Sequence, residues 1–265
     1  MSTIHVEFRS KALTRPAEFW MIYPEKLPEE IFGANPYYRR PPKTLVLLHG
    51  YTGSSGDWLL HGRAAELSTK YNLAVVMPTG GISFYLDRPG VGNGYCKFIG
   101  EDIPGYLRNT FGLCQGKEDT LIAGNSMGGF GALHTALSYP DQFGKAIGLS
   151  SAMVIHQVAA MKPGFQSPMA DYSYYAETFG EPSGVLESDN NPETLARKLK
   201  AACREIPGLY IACGSEDFLL QPNREFRDFL REENVPHTYW EDPGVHDWTF
   251  WNKAIIPALD WALED

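Results

Sequence analysis

The chain has 265 residues and a mass of 29.6 kDa, which fits one large domain. A hydrophobic content of 43% and a charged content of 21% are typical of a globular protein and exclude wholesale disorder. The formal net charge of −9 would repel polyanions, and no dense Lys/Arg cluster offsets it, so nucleic-acid binding is not expected.

The N-terminal segment and the cysteines indicate a cellular location. Residues 1–9 lack a basic start followed by an apolar run, and no stretch approaches the roughly 20 apolar residues that span a bilayer. The four cysteines are widely spaced without a C-x-x-C pair: Cys96, Cys114, Cys203 and Cys213. This spacing favours reduced thiols over a disulfide framework or a zinc site. We expect a cytoplasmic protein without membrane contact, metal or organic cofactor; a secreted chain whose leader had been removed would look the same.

Strands and helices alternate along most of the chain. The predicted strands are Ile4–Phe8, Glu18–Tyr23, Thr44–Leu48, Leu73–Met77, Thr120–Ala123, Lys145–Leu149, Gly208–Cys213 and His237–Glu241. The predicted helices are Ala64–Tyr71, Glu101–Phe111, Gly128–Ser138, Asn223–Glu233 and Trp248–Leu263. Several strands are uninterrupted apolar runs, which suit strands buried on both faces of a sheet. The pattern predicts a mainly parallel, doubly wound α/β sheet in a single domain over residues 1–265.

A long segment, residues 151–206, separates the sixth and seventh predicted strands. It contains Gly, Pro, Asp, Asn and aromatic residues without a sustained period. We interpret it as a cap-like insertion over the C-terminal edge of the sheet, where such folds bind ligands. Its aromatic side chains are compatible with a pocket lining, a homo-oligomer interface or ordinary packing. These aromatic residues are Tyr172, Tyr174, Tyr175 and Phe179.

The segment Gly124-Asn125-Ser126-Met127-Gly128 matches the pattern G-x-S-x-G. It lies between a predicted buried strand and a predicted helix, which is the context of a nucleophile elbow in the α/β-hydrolase fold. The two outer glycines lack the Cβ atoms that would collide in such a sharp turn. The N-terminus of the following helix favours negative charge. The motif therefore predicts Ser126 as a nucleophile; the alternative is a glycine-rich turn with an incidental serine.

A serine nucleophile needs a neighbouring base, and in this fold the chain order is serine, then Asp or Glu, then histidine. His246 lies in a loop after the last predicted strand, which is where the base belongs. The alternative is a loop histidine packed on Trp248. The other histidines after the serine lie on a helix, in the insertion or on a strand, and are not expected to act: His134, His156 and His237.

The supporting acid is expected directly after the seventh predicted strand. Asp217 follows the end of that strand, at a point from which a carboxylate can reach a histidine on the next loop. Glu216 is the neighbouring alternative, but adjacent side chains usually diverge, and a solvated turn aspartate is the other interpretation. We predict that Asp217 orients His246 and that Asp247 begins the last helix.

Acyl transfer places negative charge on the former carbonyl oxygen, so N–H donors must stand ready to stabilise it. We expect one from Met127, directly after the nucleophile, and a second from Tyr51, in the loop after the third predicted strand. Gly50 and Gly53 allow that loop to bend towards the serine. His49 precedes the nucleophile, so a structural role within this loop is favoured over a role as base.

Several blocks of sequence together resemble the esterase D-related putative esterase family of the α/β-hydrolase superfamily. They extend from about Leu45 to Trp251 and therefore cover most of the chain. The blocks are Leu48-His49-Gly50-Tyr51-Thr52-Gly53 with Asp57-Trp58, Gly124 to Leu133, Cys213 to Phe218, and His246-Asp247-Trp248. The family includes tributyrin esterases, acetyl and feruloyl carbohydrate esterases and S-formylglutathione hydrolases. The resemblance implies the triad Ser126, Asp217 and His246.

Within that family the chain is more similar to the tributyrin esterase and acetylesterase branch. S-formylglutathione hydrolases usually have a histidine in the glycine run of the elbow, where this chain has Phe130, and the Tyr37–Arg40 stretch also differs. We therefore expect a serine carboxylesterase that acts through an acyl-enzyme on short-chain acyl esters, with acetylated or feruloylated carbohydrates among the candidates. The alternatives are a thioesterase of the S-formylglutathione type and a non-catalytic hydrolase-fold binding protein.

Overall fold

An eight-stranded sheet forms the centre of the computed structural model, which describes residues 1–25 and 35–264. The strands are β1 (Ser2–Arg9), β2 (Pro16–Tyr23), β3 (Lys43–Leu48), β4 (Leu73–Pro78), β5 (Thr120–Asn125), β6 (Lys145–Leu149), β7 (Gly208–Gly214) and β8 (His237–Asp242). Their order is β1-β2-β4-β3-β5-β6-β7-β8. The pairs β1–β2 and β2–β4 are antiparallel, and all other neighbours are parallel. The predicted mainly parallel α/β sheet is confirmed.

Helices connect the strands. The α-helices are α1 (Asp57–Leu60), α2 (Ala64–Tyr71), α3 (Tyr95–Lys97), α4 (Ile103–Phe111), α5 (Met127–Ser138), α6 (Ile155–Ala159), α7 (Tyr172–Phe179), α8 (Pro192–Ala201), α9 (Leu220–Glu232) and α10 (Trp248–Leu263). A π-helical segment, Phe98–Asp102, joins α3 to α4, so the helix predicted from Glu101 begins earlier, at Tyr95. Of the helices in the described ranges, none is both long and apolar enough to cross a bilayer.

Successive side chains of the parallel strands point to opposite faces of the sheet and enter two separate cores. On β3, Val46 and Leu48 belong to one core, and Leu45 and Leu47 belong to the other. Helices α4, α5, α8 and α9 contribute side chains to the first core, and α2 and α10 contribute to the second. Because helices cover both faces, a ligand site is expected at the C-terminal ends of the strands.

Regular structure was missed between residues 151 and 206, where helices α6, α7 and α8 lie. Helix α8 has ordinary start signals, because the Asn191 side chain caps it and Pro192 occupies its first turn. Its short apolar stripe, which includes Leu195 and Leu199, did not stand out as a period. The helix packs against α5 and returns the chain to the sheet.

His134 on α5 is a buried histidine with two partners. Its Nε2 lies 2.8 Å from the carbonyl oxygen of Asp189, and its Nδ1 lies 3.7 Å from Cys96 Sγ. Burial lowers the pKa of His134 to about 4, although the Asp189 carbonyl favours the charged form. The ring is therefore neutral in the folded protein at neutral pH.

We expect acidification to destabilise the fold through His134. The pKa is lower in the folded state than in the unfolded state, so the unfolded chain binds the proton first. Stability is full above the unfolded pKa of about 6.5 and is lost, by up to about 3 kcal/mol, as the pH falls towards 4. Urea unfolding of wild type and His134→Gln at pH 7.5 and pH 5.0 tests this. An equal acid-induced loss in both proteins would contradict it.

Candidate active site

Ser126 lies in the sharp turn between β5 and α5. Its φ of 56° and ψ of −119° are unusual for a residue with a side chain, and such strain often occurs at functional sites. Its N–H donates to the Leu149 carbonyl at 2.9 Å, and its own carbonyl accepts from the N–H groups of Phe130 at 3.1 Å and Ala152 at 2.9 Å. These bonds hold the serine backbone on both sides.

Two glycines of the motif are required by close backbone contacts. A Cβ atom on Gly124 would lie 2.3 Å from the carbonyl oxygen of Gly128. A Cβ atom on Gly128 would lie 2.5 Å from the carbonyl oxygen of Leu48 at the end of β3. Because both opposing atoms belong to the backbone, neither clash could be relieved by a side-chain rotation.

The structure brings Ser126, His246 and Asp217 into one chain of hydrogen bonds. His246 Nε2 lies 3.0 Å from Ser126 Oγ, and His246 Nδ1 lies 2.9 Å from Asp217 Oδ2 and 3.1 Å from Oδ1. A carboxylate accepts from Nδ1–H, which leaves Nε2 free to accept from the serine hydroxyl. The rings of Phe218 and Trp251 lie 4.6 Å and 5.0 Å from the imidazole ring.

Asp217 is suited to remain ionised. Burial would raise its pKa, but the hydrogen bonds from His246 and from the Leu219 N–H at 2.8 Å outweigh that effect and lower the pKa. A charged carboxylate at this position favours a protonated Nδ1 and stabilises an imidazolium next to it.

The sequence suggested Glu216 only as an alternative to Asp217. In the structure it connects the loop that carries Asp217 to the loop that carries His246. Its carboxylate accepts from the Gly244 N–H at 2.6 Å and from Ser215 Oγ at 2.6 Å, and its N–H donates to the Gly244 carbonyl at 3.0 Å. A Cβ atom on Gly214 would lie 2.2 Å from the Gly244 carbonyl oxygen. Only the adjacent Gly-Ser-Glu-Asp turn could have indicated this role.

The loop after β3 approaches the serine closely. A Cβ atom on Gly50 would lie 3.5 Å from the Cβ atom of Ser126. Tyr51 in this loop and Met127 after the serine both line the cavity next to Ser126. Among the backbone hydrogen bonds of turns and loops in the described part of the chain, neither the Tyr51 N–H nor the Met127 N–H is a donor. Both are therefore available to a substrate oxygen.

His49 holds the peptide group that contains the Tyr51 N–H. The Gly80 N–H can only donate, so His49 Nε2 accepts from it at 2.8 Å and His49 Nδ1–H donates to the Gly50 carbonyl at 2.7 Å. Burial lowers the pKa of His49, which keeps Nε2 free to accept. Because the peptide is planar, fixing the Gly50 carbonyl also orients the Tyr51 N–H. The structure agrees with the structural role that we predicted for His49.

A cavity of about 780 Å³ opens beside Ser126. It lies at the C-terminal ends of the strands, and more than half of its lining comes from residues 155–179. The lining residues are Tyr51, Phe84, Ser126, Met127, Ala152, Val154, Gln157, Ala160, Met161, Lys162, Pro163, Phe165, Ser167, Met169, Tyr175, Phe218 and Leu219. Of the aromatic residues singled out above, Tyr175 lines this cavity and Phe179 is buried in the core.

The other histidines after the serine have partners elsewhere, as expected. His156 Nε2 lies 2.7 Å from Glu193 Oε1, and His237 Nδ1 lies 2.8 Å from the Val235 carbonyl. Asp247 caps the N-terminus of α10 by accepting from a backbone N–H, which confirms its predicted position.

The chain is similar in sequence and in fold to known esterases and serine hydrolases. A family model described as putative esterase matches residues 26–262. An acetyl esterase from Caldicellulosiruptor saccharolyticus is 40% identical over 261 residues, which cover 98% of each chain. FphF, a fluorophosphonate-binding serine hydrolase of Staphylococcus aureus, superposes with a TM-score of 0.84 at 29% identity and covers 100% and 99% of the two chains. The S-formylglutathione hydrolase FrmB of the same organism gives 0.81 at 29% identity and covers 99% of each.

We expect Gly124→Ala to destabilise the protein by about 3 kcal/mol or more, because the new Cβ would meet a backbone oxygen that cannot rotate away. Gly105→Ala on α4 is the matched control, since no atom lies within 4 Å of its added Cβ. The control should keep or raise stability, because alanine favours a helix more than glycine does. Thermal and urea unfolding of both variants provide the measurement. Equal effects would show that the turn is not crowded.

Proposed function

This chain belongs to the putative esterase family and is a carboxylic ester hydrolase, and from that premise we propose that Ser126, His246 and Asp217 form its catalytic triad. The observation that carries the proposal is the continuous hydrogen-bond chain from Ser126 Oγ through His246 to the Asp217 carboxylate. We further propose that its preferred substrates are short-chain acyl esters.

In the acylation step, Ser126 Oγ attacks the ester carbonyl carbon while His246 Nε2 takes the hydroxyl proton. The Asp217 carboxylate accepts from Nδ1–H and stabilises the imidazolium that forms. The tetrahedral intermediate then collapses. The bond to the alcohol oxygen breaks, His246 returns the proton to that oxygen, and the acyl group stays on the serine.

Backbone N–H groups would stabilise the charge on the substrate oxygen. We assign this oxyanion hole to Tyr51 and Met127, whose N–H groups lie on the two turns that meet at the serine. In deacylation, water gives a proton to His246 Nε2 and attacks the acyl carbon. The bond from that carbon to Ser126 Oγ then breaks, His246 returns the proton to Oγ, and the acid is released.

The likeness to an acetyl esterase over the whole chain supports the short-acyl preference. A cavity of about 780 Å³ is larger than an acetyl group needs, so we assign most of its space to the alcohol part of the substrate. Acetylated or feruloylated carbohydrates remain the candidate substrates. We treat residues 151–206 as a cap-like part of one α/β-hydrolase domain, because residues 155–179 supply most of the cavity wall.

A second candidate activity is thioester hydrolysis of the S-formylglutathione type. The likeness to FrmB over nearly the full length of both chains favours it. Rates on S-formylglutathione far above those on aryl acetates would establish this activity. We also propose a cytoplasmic location, because all four cysteines are free thiols and three of them are buried.

Ser126→Ala should abolish ester hydrolysis, with kcat/KM falling by at least about 10³-fold because the nucleophile is removed. Rates on p-nitrophenyl acetate, butyrate and octanoate provide the measurement, together with labelling by a fluorophosphonate probe. Wild type should prefer the short esters and be labelled. The exposed serine variant Ser183→Ala should behave like wild type. If Ser126→Ala hydrolysed the esters as fast as wild type, the proposed triad would be wrong. If wild type preferred the octanoate ester, the short-acyl assignment would be wrong.

His49→Ala should lower kcat roughly 10- to 100-fold with a smaller change in KM, because the Tyr51 N–H loses its orientation. His134→Ala is the matched control. It also removes a buried neutral histidine and should lose stability, but it should retain kcat. A comparable fall in kcat for both variants would indicate a general structural effect.

A further inference from the structure

We propose that the side chain of Tyr51 is a specificity-determining wall that limits the alcohol part of the substrate. It separates the cavity beside Ser126 from a second, more polar cavity, so that the protein selects esters of compact alcohols. The inference rests on the proposed function, because it assigns the alcohol group to the cavity beside the serine.

The second cavity has a volume of about 430 Å³ and lies next to the first. Tyr51, Ser167 and Met169 line both cavities, so these residues form the boundary between them. Four residues line the second cavity but not the first, and two of them, Gln166 and Asp171, are polar; the other two are Ala170 and Tyr174.

A hydrogen bond closes the boundary. Tyr51 Oη donates to the Met169 carbonyl oxygen at 3.3 Å and thereby joins the loop after β3 to the loop before α7. The Tyr51 ring meets Tyr174 edge-on, with ring centroids 5.8 Å apart, and lies 6.4 Å from the ring of Phe84. Tyr174 is in turn held by its hydroxyl, which donates to the Ile82 carbonyl at 2.7 Å. The Tyr51 side chain is thus supported on both sides.

The acceptor for this hydrogen bond is presented by a tight turn. Ser167 Oγ donates to the Ala170 carbonyl at 2.9 Å and accepts from the N–H groups of Met169 at 3.2 Å and Ala170 at 3.1 Å. The Ser167 N–H also donates to the Ala170 carbonyl at 3.1 Å. The turn therefore holds the Met169 carbonyl in place.

The polarity of the two cavities indicates which part of a substrate could cross the boundary. The first cavity is lined mainly by apolar side chains such as Met161 and Phe165. The second cavity has a larger polar share of its lining, and its residues Gln166 and Asp171 both lie at the surface. The alcohol is released during acylation and must leave towards solvent. An alcohol with a polar extension would therefore be the group that enters the second cavity once the wall is removed.

The test uses three acetate esters with similar leaving groups: phenyl acetate, 4-propoxyphenyl acetate and 4-(2-hydroxyethoxy)phenyl acetate. In wild type, phenyl acetate should give the highest kcat/KM. In Tyr51→Ala, the kcat/KM of the hydroxyethoxy ester relative to phenyl acetate should rise at least about fivefold, and it should rise more than that of the propoxy ester, because the opened space is polar. Tyr51→Phe, which keeps the ring, should show a smaller rise.

Tyr175→Ala is the matched control, since Tyr175 lines the first cavity but not the second. It should not favour the hydroxyethoxy ester over the propoxy ester. If kcat/KM fell by the same factor for all three esters in Tyr51→Ala, the side chain would have only a structural role and the proposal would be wrong. The proposal would also be wrong if Tyr51→Ala changed only the preference for acyl length, measured as kcat/KM on phenyl acetate relative to phenyl hexanoate. An error in the proposed triad would be recognised separately, because the fluorophosphonate probe would then fail to label the wild-type protein.

Discussion

The crowding of backbone around Ser126 is the constraint on which the other features of the site depend. Strand β5 ends at Asn125, and the serine immediately after it bonds to the last residue of β6 and to Ala152 beyond that strand. The end of β3 lies against Gly128. Only glycines fit two residues before and two residues after the serine, and the serine itself must adopt a positive φ. Since three neighbouring strands end at this point, their loops must meet there. The positions of the Tyr51 N–H and of the cavity follow from that convergence.

The electrostatic character of the site results from two buried groups, of which one is neutral and the other is charged. His49 is neutral because burial disfavours its charge, and its neutral form is needed to accept from Gly80. Asp217 is ionised despite burial because His246 and the Leu219 N–H donate to it. Thus a neutral histidine orients the peptide group that contains the Tyr51 N–H, and the fixed charge of the proposed triad lies on Asp217, on the side of the imidazole away from the serine.

Sequence reasoning succeeded where the signal is local. The apolar run that became β3 and the glycines around Ser126 express short-range constraints. The chain order of the fold then pointed to Asp217 and His246, which the structure places within hydrogen-bond distance of each other. It failed where the partner is distant in sequence. The hydrogen bonds of Glu216 to Gly244 and of Tyr51 to Met169 join loops far apart along the chain, and the residue types alone do not predict them. Helix α8 was missed because its apolar stripe is short.

The cavity wall and the reacting groups have separate origins in the chain. The proposed triad lies on turns directly attached to β5, β7 and β8, whereas residues 155–179 form most of the wall and contribute none of its members. Changes in that segment can therefore accumulate without moving the serine, the imidazole or the carboxylate. Such an arrangement favours diversification, since a gene that keeps its strands and exchanges one segment could acquire a new ester preference while its chemistry is inherited intact.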